Sequence, residues 1–194
     1  FPSSSISGCT FTGNTTIGTS GSGSLTVNGG TTPSTLSMLD GTANTLTINN
    51  VTSGATALTL GGASGAITLN LDVGANYDEI VLGSGLLASV GAGGVTININ
   101  GLGSLNGKTQ TLISAPGGGL IGTFVLGTIT GNTSGYNFTL TDTATALILN
   151  ETPAAAGSAF YTGAGGNVWS TGAGANFNTT FSGSMALAAA PGGG

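Results

Sequence analysis

Between Ser24 and Leu82 the chain repeats one short pattern, an aliphatic residue, a hydroxyl residue and a second aliphatic residue. It reads Leu25-Thr26-Val27, Leu36-Ser37-Met38, Leu46-Thr47-Ile48, Leu58-Thr59-Leu60 and Ile67-Thr68-Leu69. In an extended chain residues two apart share a face, so each triplet turns two aliphatic side chains one way and one hydroxyl the other. The alternation predicts short strands rather than helices. Between the triplets stand Gly29-Gly30, Gly41, Ser53-Gly54, Gly61-Gly62 and Gly74, which reach positive φ without steric cost and suit turns.

The spacing of the triplets carries further information. Leu25, Leu46 and Ile67 are separated by 21 and 21 residues, and Leu36, Leu58 and Ile80 by 22 and 22. A self-similar period in this range marks a solenoid, in which each unit buries its apolar face only by stacking on the next. The expectation is an all-β, elongated parallel β-solenoid with short strands and Gly-rich turns. Its coil would be roughly 21 residues long with at least two strands, so roughly nine coils would form a rod of around 40 Å. The alternative is an antiparallel β-sandwich with turns every ten or so residues, but a sandwich has no reason to keep a period across alternate strands.

Three regions follow. Residues 1–23 are rich in Ser, Thr and Gly, with weak strand signals at Ile6, Thr10-Phe11-Thr12 and Thr16-Ile17, and read as an N-terminal cap or exchange segment. Residues 24–151 form the solenoid. In its second half the strands lengthen, at Val95 to Ile99, Thr109 to Ile113, Gly122 to Leu126, Tyr136 to Thr141 and Ala144 to Leu149, as a thicker C-terminal capping section would require. Residues 152–194 read as a docking segment that ends in a linker rich in Gly, Ala and Pro.

From Asn76 onward the sequence resembles a known family. Asn76-Tyr77-Asp78-Glu79-Ile80-Val81-Leu82, Gly94-Val95-Thr96-Ile97-Asn98-Ile99, Gly107-Lys108-Thr109-Gln110-Thr111-Leu112-Ile113, Gly122-Thr123-Phe124, Tyr136 to Leu140 and Ala146-Leu147-Ile148-Leu149 follow one another in order. They resemble the closing unit of the autotransporter-associated β-strand repeat proteins, bacterial surface proteins of the parallel β-helix type. Phe160-Tyr161-Thr162-Gly163, then Val168-Trp169-Ser170, then Asn176-Phe177 resemble the segment that opens the next block in that family, which usually carries a second Trp where this chain has Phe177. The resemblance covers residues 77 to 181 or so. It implies an extracellular or bacterial cell-surface location and a fibrous, non-catalytic role. A closing unit followed by an opening unit suggests a piece of a tandem array, or a subunit that stacks end to end.

Composition narrows the partners. Among 194 residues there are 38 glycines, one Lys, no Arg, and charged residues make up 4%, with a mean hydropathy of +0.38. A single basic side chain cannot displace counterions from a nucleic acid or bind an anionic lipid surface. No stretch approaches the 18 or so continuous apolar residues of a spanning helix, and Phe1-Pro2-Ser3-Ser4-Ser5 lacks the basic and apolar parts of a signal peptide. Neither nucleic acid nor membrane insertion is therefore expected. A net charge of −5 opposes association only weakly, so self-association is expected as native behaviour, with homopolymer or tandem neighbours as partners. Cys9 has no second cysteine and reads either as a small buried hydrophobe or as an intermolecular link. The preceding Ile6-Ser7-Gly8 is similar to a lipobox, but cleavage there would remove residues present in this chain.

Candidate chemistry is sparse. There is no His, which excludes Ser-His-Asp and Cys-His catalysis and the usual zinc sites. Asp78 and Glu79 are adjacent and in a strand would face opposite ways, unlike the paired carboxyls of a glycosidase. The chain is read as having no catalytic residues and no cofactor. Asp72, Asn76, Asp78 and Glu79 gather oxygen ligands that would suit calcium; the other reading, adopted here, is that Asp72 and Asp78 cap turns. Lys108 reads as a loop lysine, with an isopeptide link to an Asn as the alternative. Asn-x-Ser/Thr sequences at Asn14, Asn50, Asn132, Asn137, Asn150 and Asn178 follow from composition. The candidate interaction residues are the aromatics outside the regular coils: Phe11, Phe160, Tyr161, Trp169 and Phe177. They would serve end-to-end docking or, in a second reading as a carbohydrate-binding or adhesive module, stacking on a glycan or other surface ligand.

Overall fold

A computed structural model describes residues 4–6, 8–18, 21–29, 33–62, 65–103, 105, 107–133 and 135–154, and the short strands at 160–161 and 177–178. The chain divides into two units at residues 154 and 155. The first is an all-β parallel β-solenoid.

Each coil carries three strands, one on each of three faces. The first coil has β1 (Ser4–Ile6), β2 (Gly8–Thr10) and β3 (Thr15–Ile17). The second has β4 (Leu25–Val27), β5 (Ser34–Ser37) and β6 (Thr45–Ile48). The third has β7 (Thr56–Leu60), β8 (Ile67–Val73) and β9 (Glu79–Leu82), and the fourth β10 (Leu87–Val90), β11 (Val95–Gly101) and β12 (Thr109–Ser114). Face A is the sheet β1-β4-β7-β10. Face B is β2-β5-β8-β11 and ends on β13 (Phe124–Gly131). Face C is β3-β6-β9-β12 and ends on β15 (Ala146–Pro153) and β14 (Tyr136–Asp142).

Every triplet identified by its alternation falls on a strand, with Met38 alone lying one residue past the end of β5, but the coil is longer than the alternate-triplet period implied. Leu25 pairs with Leu58, 33 residues later, and Leu46 pairs with Ile80, 34 residues later. Only in the first coil does a 21-residue step occur, from Ser4 to Leu25. The triplets are about ten residues apart and the coil takes every third one. The described coils therefore number four, not nine, before the terminal section.

The stacking places like on like. Inward columns run Leu36–Leu69–Ile97 on face B and Leu46–Ile80–Ile113 on face C, and every one of these side chains is fully buried. Burial of each such aliphatic side chain contributes about 1.5–3 kcal/mol. Outward columns run Thr26–Thr59–Ser89 on face A, Thr35–Thr68–Thr96 and Ser37–Asn70–Asn98 on face B. β-Branched Thr suits the pleated surface while its hydroxyl meets water.

The three corners differ in chemistry. From face A to face B the chain turns through stacked glycines, and a Cβ on Gly91 would overlap the Gly62 carbonyl while one on Gly93 would overlap that of Gly65. From C to A the backbone of Asn49 bridges coils, its N–H donating to Ile17 O (2.9 Å) and its carbonyl accepting from Gly23 N (3.1 Å). From B to C the corner is built from carboxylates and amides.

The terminal section departs from the coil plan. Residues 115–122 cross face A without forming a strand, held to β10 and its approach by Ala88 N–H to Gly118 O (2.8 Å) and Gly117 N–H to Leu86 O (2.9 Å). β13 then adds to β11 in parallel. β15 is antiparallel to both β12 and β14, so it lies reversed between two strands that run in the coil direction. Face C thereby gains one strand more than face B.

In the second unit β16 (Phe160–Tyr161) and β17 (Phe177–Asn178) form an antiparallel pair.

Candidate functional site

The acidic residues that gather in the sequence form the B-to-C corner. Asp72 and Asp78 are both fully buried. Asp72 Oδ2 accepts from the N–H groups of Asp40 (3.1 Å) and Gly41 (2.9 Å) in the preceding coil, and its Oδ1 accepts from Asn100 Nδ2 (2.6 Å) in the following one. Asp78 Oδ1 accepts from Asn44 N (2.8 Å) and its Oδ2 from Asp72 N (2.7 Å). One level down, Asp40 Oδ2 accepts from Gly13 N (3.0 Å), and Asn14 Oδ1 accepts from Thr45 N (2.7 Å).

The turn-capping role of Asp72 and Asp78 is thus present, but it reaches across coils as well as within one. Asp72 serves the neighbouring turn at Asp40-Gly41. Asp78 supplies acceptors for the N–H groups of the buried residues Asn44 and Asp72, which would otherwise be left unpaired, while Asp72 caps the exposed turn at Asp40-Gly41. Asn76 is exposed and Glu79 is half-buried. Among the described residues, no group of three or more His, Cys, Asp and Glu is placed to hold a metal ion.

Charge in this corner is unevenly held. Burial pushes the Asp78 carboxyl up to about 7; the charge of Asp72 adds to the rise, and the hydrogen bonds from Asp72 and Asn44 oppose it. Burial also raises Glu79. Asp40 lies below its ordinary value, chiefly through the Thr42 hydroxyl (2.6 Å) and the Gly13 N–H.

A second polar cluster had no signal in the sequence. Gln110 and Glu151 are both buried. Gln110 Nε2 donates to Glu151 Oε1 and to Gly74 O (2.8 Å), and Glu151 Oε2 accepts from Gly107 N (3.2 Å). Nearby, Tyr136 Oη donates to Leu105 O (2.7 Å). This cluster ties the reversed strand β15 to the turn that precedes β12 and, through Gln110, to the turn that precedes β9. Neither residue stands out in the sequence, because the pairing depends on a reversal that strand alternation does not encode.

The candidate interaction residues fall in different places. Phe11 is half-buried, packs against the solenoid core, and its N–H donates to Ser37 O (2.8 Å). Tyr161 and Phe177 are brought together as register partners in the second unit, and Phe160 pairs with Asn178. Trp169 lies outside the described residues.

The two ends of the solenoid carry the strongest functional signal. Among the described residues β2 is one edge of face B and β13 the other. β13 contains no charged residue and no proline. Phe124 and Leu126 are only half-buried against the core, and Val125 and Ile129 are 53% and 41% exposed. On face C, Phe138 and Leu140 of the edge strand β14 are likewise half-buried. Open edges usually carry charges, prolines or bulges that prevent pairing; β13 carries neither charge nor proline, and its one irregularity is a register shift against β11 between Leu126 and Ile129.

Comparison of the chain with family models, with curated proteins and with solved structures finds no match.

Proposed function

We propose that this protein is a non-catalytic structural element, a segment or self-assembling subunit of an extracellular or bacterial-surface fibre or adhesin, whose contacts are made end to end. One observation carries this reading: a solenoid whose regular core leaves apolar side chains half-covered at a long, uncharged edge strand. A stack of coils lengthens by adding another coil to its edge, and a heterologous contact of that kind produces a filament rather than a closed oligomer. The corner carboxylates fit the same role. Asp72 and Asp78 use their oxygens to hold neighbouring turns together, which stiffens a rod.

Electron microscopy of the purified chain over a range of concentrations tests this. Filaments with a regular axial repeat are expected. Particles that stay dispersed as single chains at every concentration would overturn the reading.

A further inference from the structure

We infer that the open edge of β13 receives β2 of a second copy of this chain in parallel, with Leu126 stacked on the partner copy's Cys9. The inference rests on the proposed end-to-end assembly and specifies its register. Face B fixes that register internally. Its inward column runs Cys9, Leu36, Leu69, Ile97, Leu126, each residue paired directly with the next and with no shift between Cys9 and Ile97. Among the described residues, the two edges of the sheet therefore present the first and last members of one column. Adding β2 to β13 repeats the step already made four times within the chain.

Direction is compatible on two faces. β13 is parallel to β11, and β14, antiparallel to the reversed β15, runs in the same sense as β12. Both terminal edges thus run as the first-coil strands run. Neither β13 nor β2 contains a charged side chain, so no like-charge contact opposes their approach. The apolar residues at the two ends are also alike in burial: Leu126 at one end, and Cys9 and Phe11 at the other, are each only partly buried against the core.

The terminal section adds a constraint. Because β15 gives face C one strand more than face B, the two edges differ in height by one strand spacing, about 4.8 Å. A copy seated on both edges is tilted, and successive copies meet at a bend.

The test uses the full chain with Leu126→Cys. Adjacent strands place facing Cα atoms about 4.8 Å apart, within reach of a disulfide or a short bis-thiol linker. Mild oxidation of assembled L126C is expected to give a ladder of multimers on a non-reducing gel, and L126C combined with Cys9→Ser is expected to give none. Dimers from L126C/C9S would mean tail-to-tail contact, and Cys9-linked dimers of the unmodified chain head-to-head contact; either overturns the proposal. The unmodified chain supplies a readout that needs no substitution: Cys9 should react with a maleimide when dispersed and be protected at least tenfold when assembled. Filaments in which Cys9 stays fully reactive would overturn this register and leave the structural reading standing. Absence of any assembly would overturn both.

Discussion

At the scale of single residues the B-to-C corner decides how stability responds to pH. Asp78 has a folded-state value of about 7 against an ordinary 3.8. The folded chain therefore holds the proton more tightly than the unfolded one. Its contribution is fully present below about pH 4, declines as pH rises, and is gone once pH has passed through about 7. Glu79 is shifted in the same direction. Asp40 is shifted in the other, so its contribution is lost as pH falls below 3.8. The melting temperature should thus peak on the acid side and fall between about pH 4.5 and 8, measurable by circular dichroism. Asp78→Asn should flatten most of that slope. It should also lower stability overall by about 1–3 kcal/mol, because the amide leaves Asn44 N or Asp72 N without an acceptor. A variant that keeps the full slope would show that Asp78 is not its source. The sequence drew attention to Asp72 and Asp78 because they lie close together in the chain. It could not identify their partners Asp40 and Asn100, whose proximity depends on the coil length.

At the scale of elements, alternation identified the strands and left their assembly open. Leu25, Leu36 and Leu46 are equivalent in pattern, yet they lie on three different faces. A spacing of ten or eleven residues is equally consistent with coils of two strands or three, and what chooses is the angle at each corner. That angle is set by backbone packing among glycines that look alike in sequence. Gly54 adopts φ +77° with nothing within 4 Å of where a Cβ would stand, whereas a Cβ on Gly91 would run into Gly62 backbone. Gly54→Ala should therefore cost about 1 kcal/mol, the strain of a left-handed residue. Gly91→Ala should cost more than about 3 kcal/mol or prevent folding, because two stacked turns must separate. Chemical denaturation of the two variants compares the costs directly, and equal costs would mean that the A-to-B corner is not closely packed. The reversal of β15 was hidden for a related reason. Ala146 to Leu149 alternates as any strand does, and direction leaves no mark on alternation.

At the scale of the whole molecule the scarcity of charge becomes the governing property. One Lys and six acidic side chains serve 194 residues, two of the acids are buried in the B-to-C corner, and a third, Glu151, is buried against Gln110. Neither edge strand of face B carries an ion, so the proposed contact between copies would have no ion pairs to lose. Its stability would come from backbone hydrogen bonds along β13 and from covering Phe124 and Leu126. Interactions of that kind are insensitive to screening, whereas an interface held by exposed ion pairs weakens when the Debye length falls from about 10 Å to about 3 Å near molar salt. The weak repulsion arising from a net charge of −5 is screened by the same change. Sodium chloride should therefore leave the assembly intact and slightly lower the concentration at which filaments appear. Sulfate should lower it further, because it strengthens apolar burial. Acidification toward the sequence pI of about 4.1 should act in the same direction by removing net charge. Sedimentation of filaments across these conditions measures all three effects. Dissolution by molar sodium chloride would show that the copies are held by charge and would place the contact away from the β13 edge.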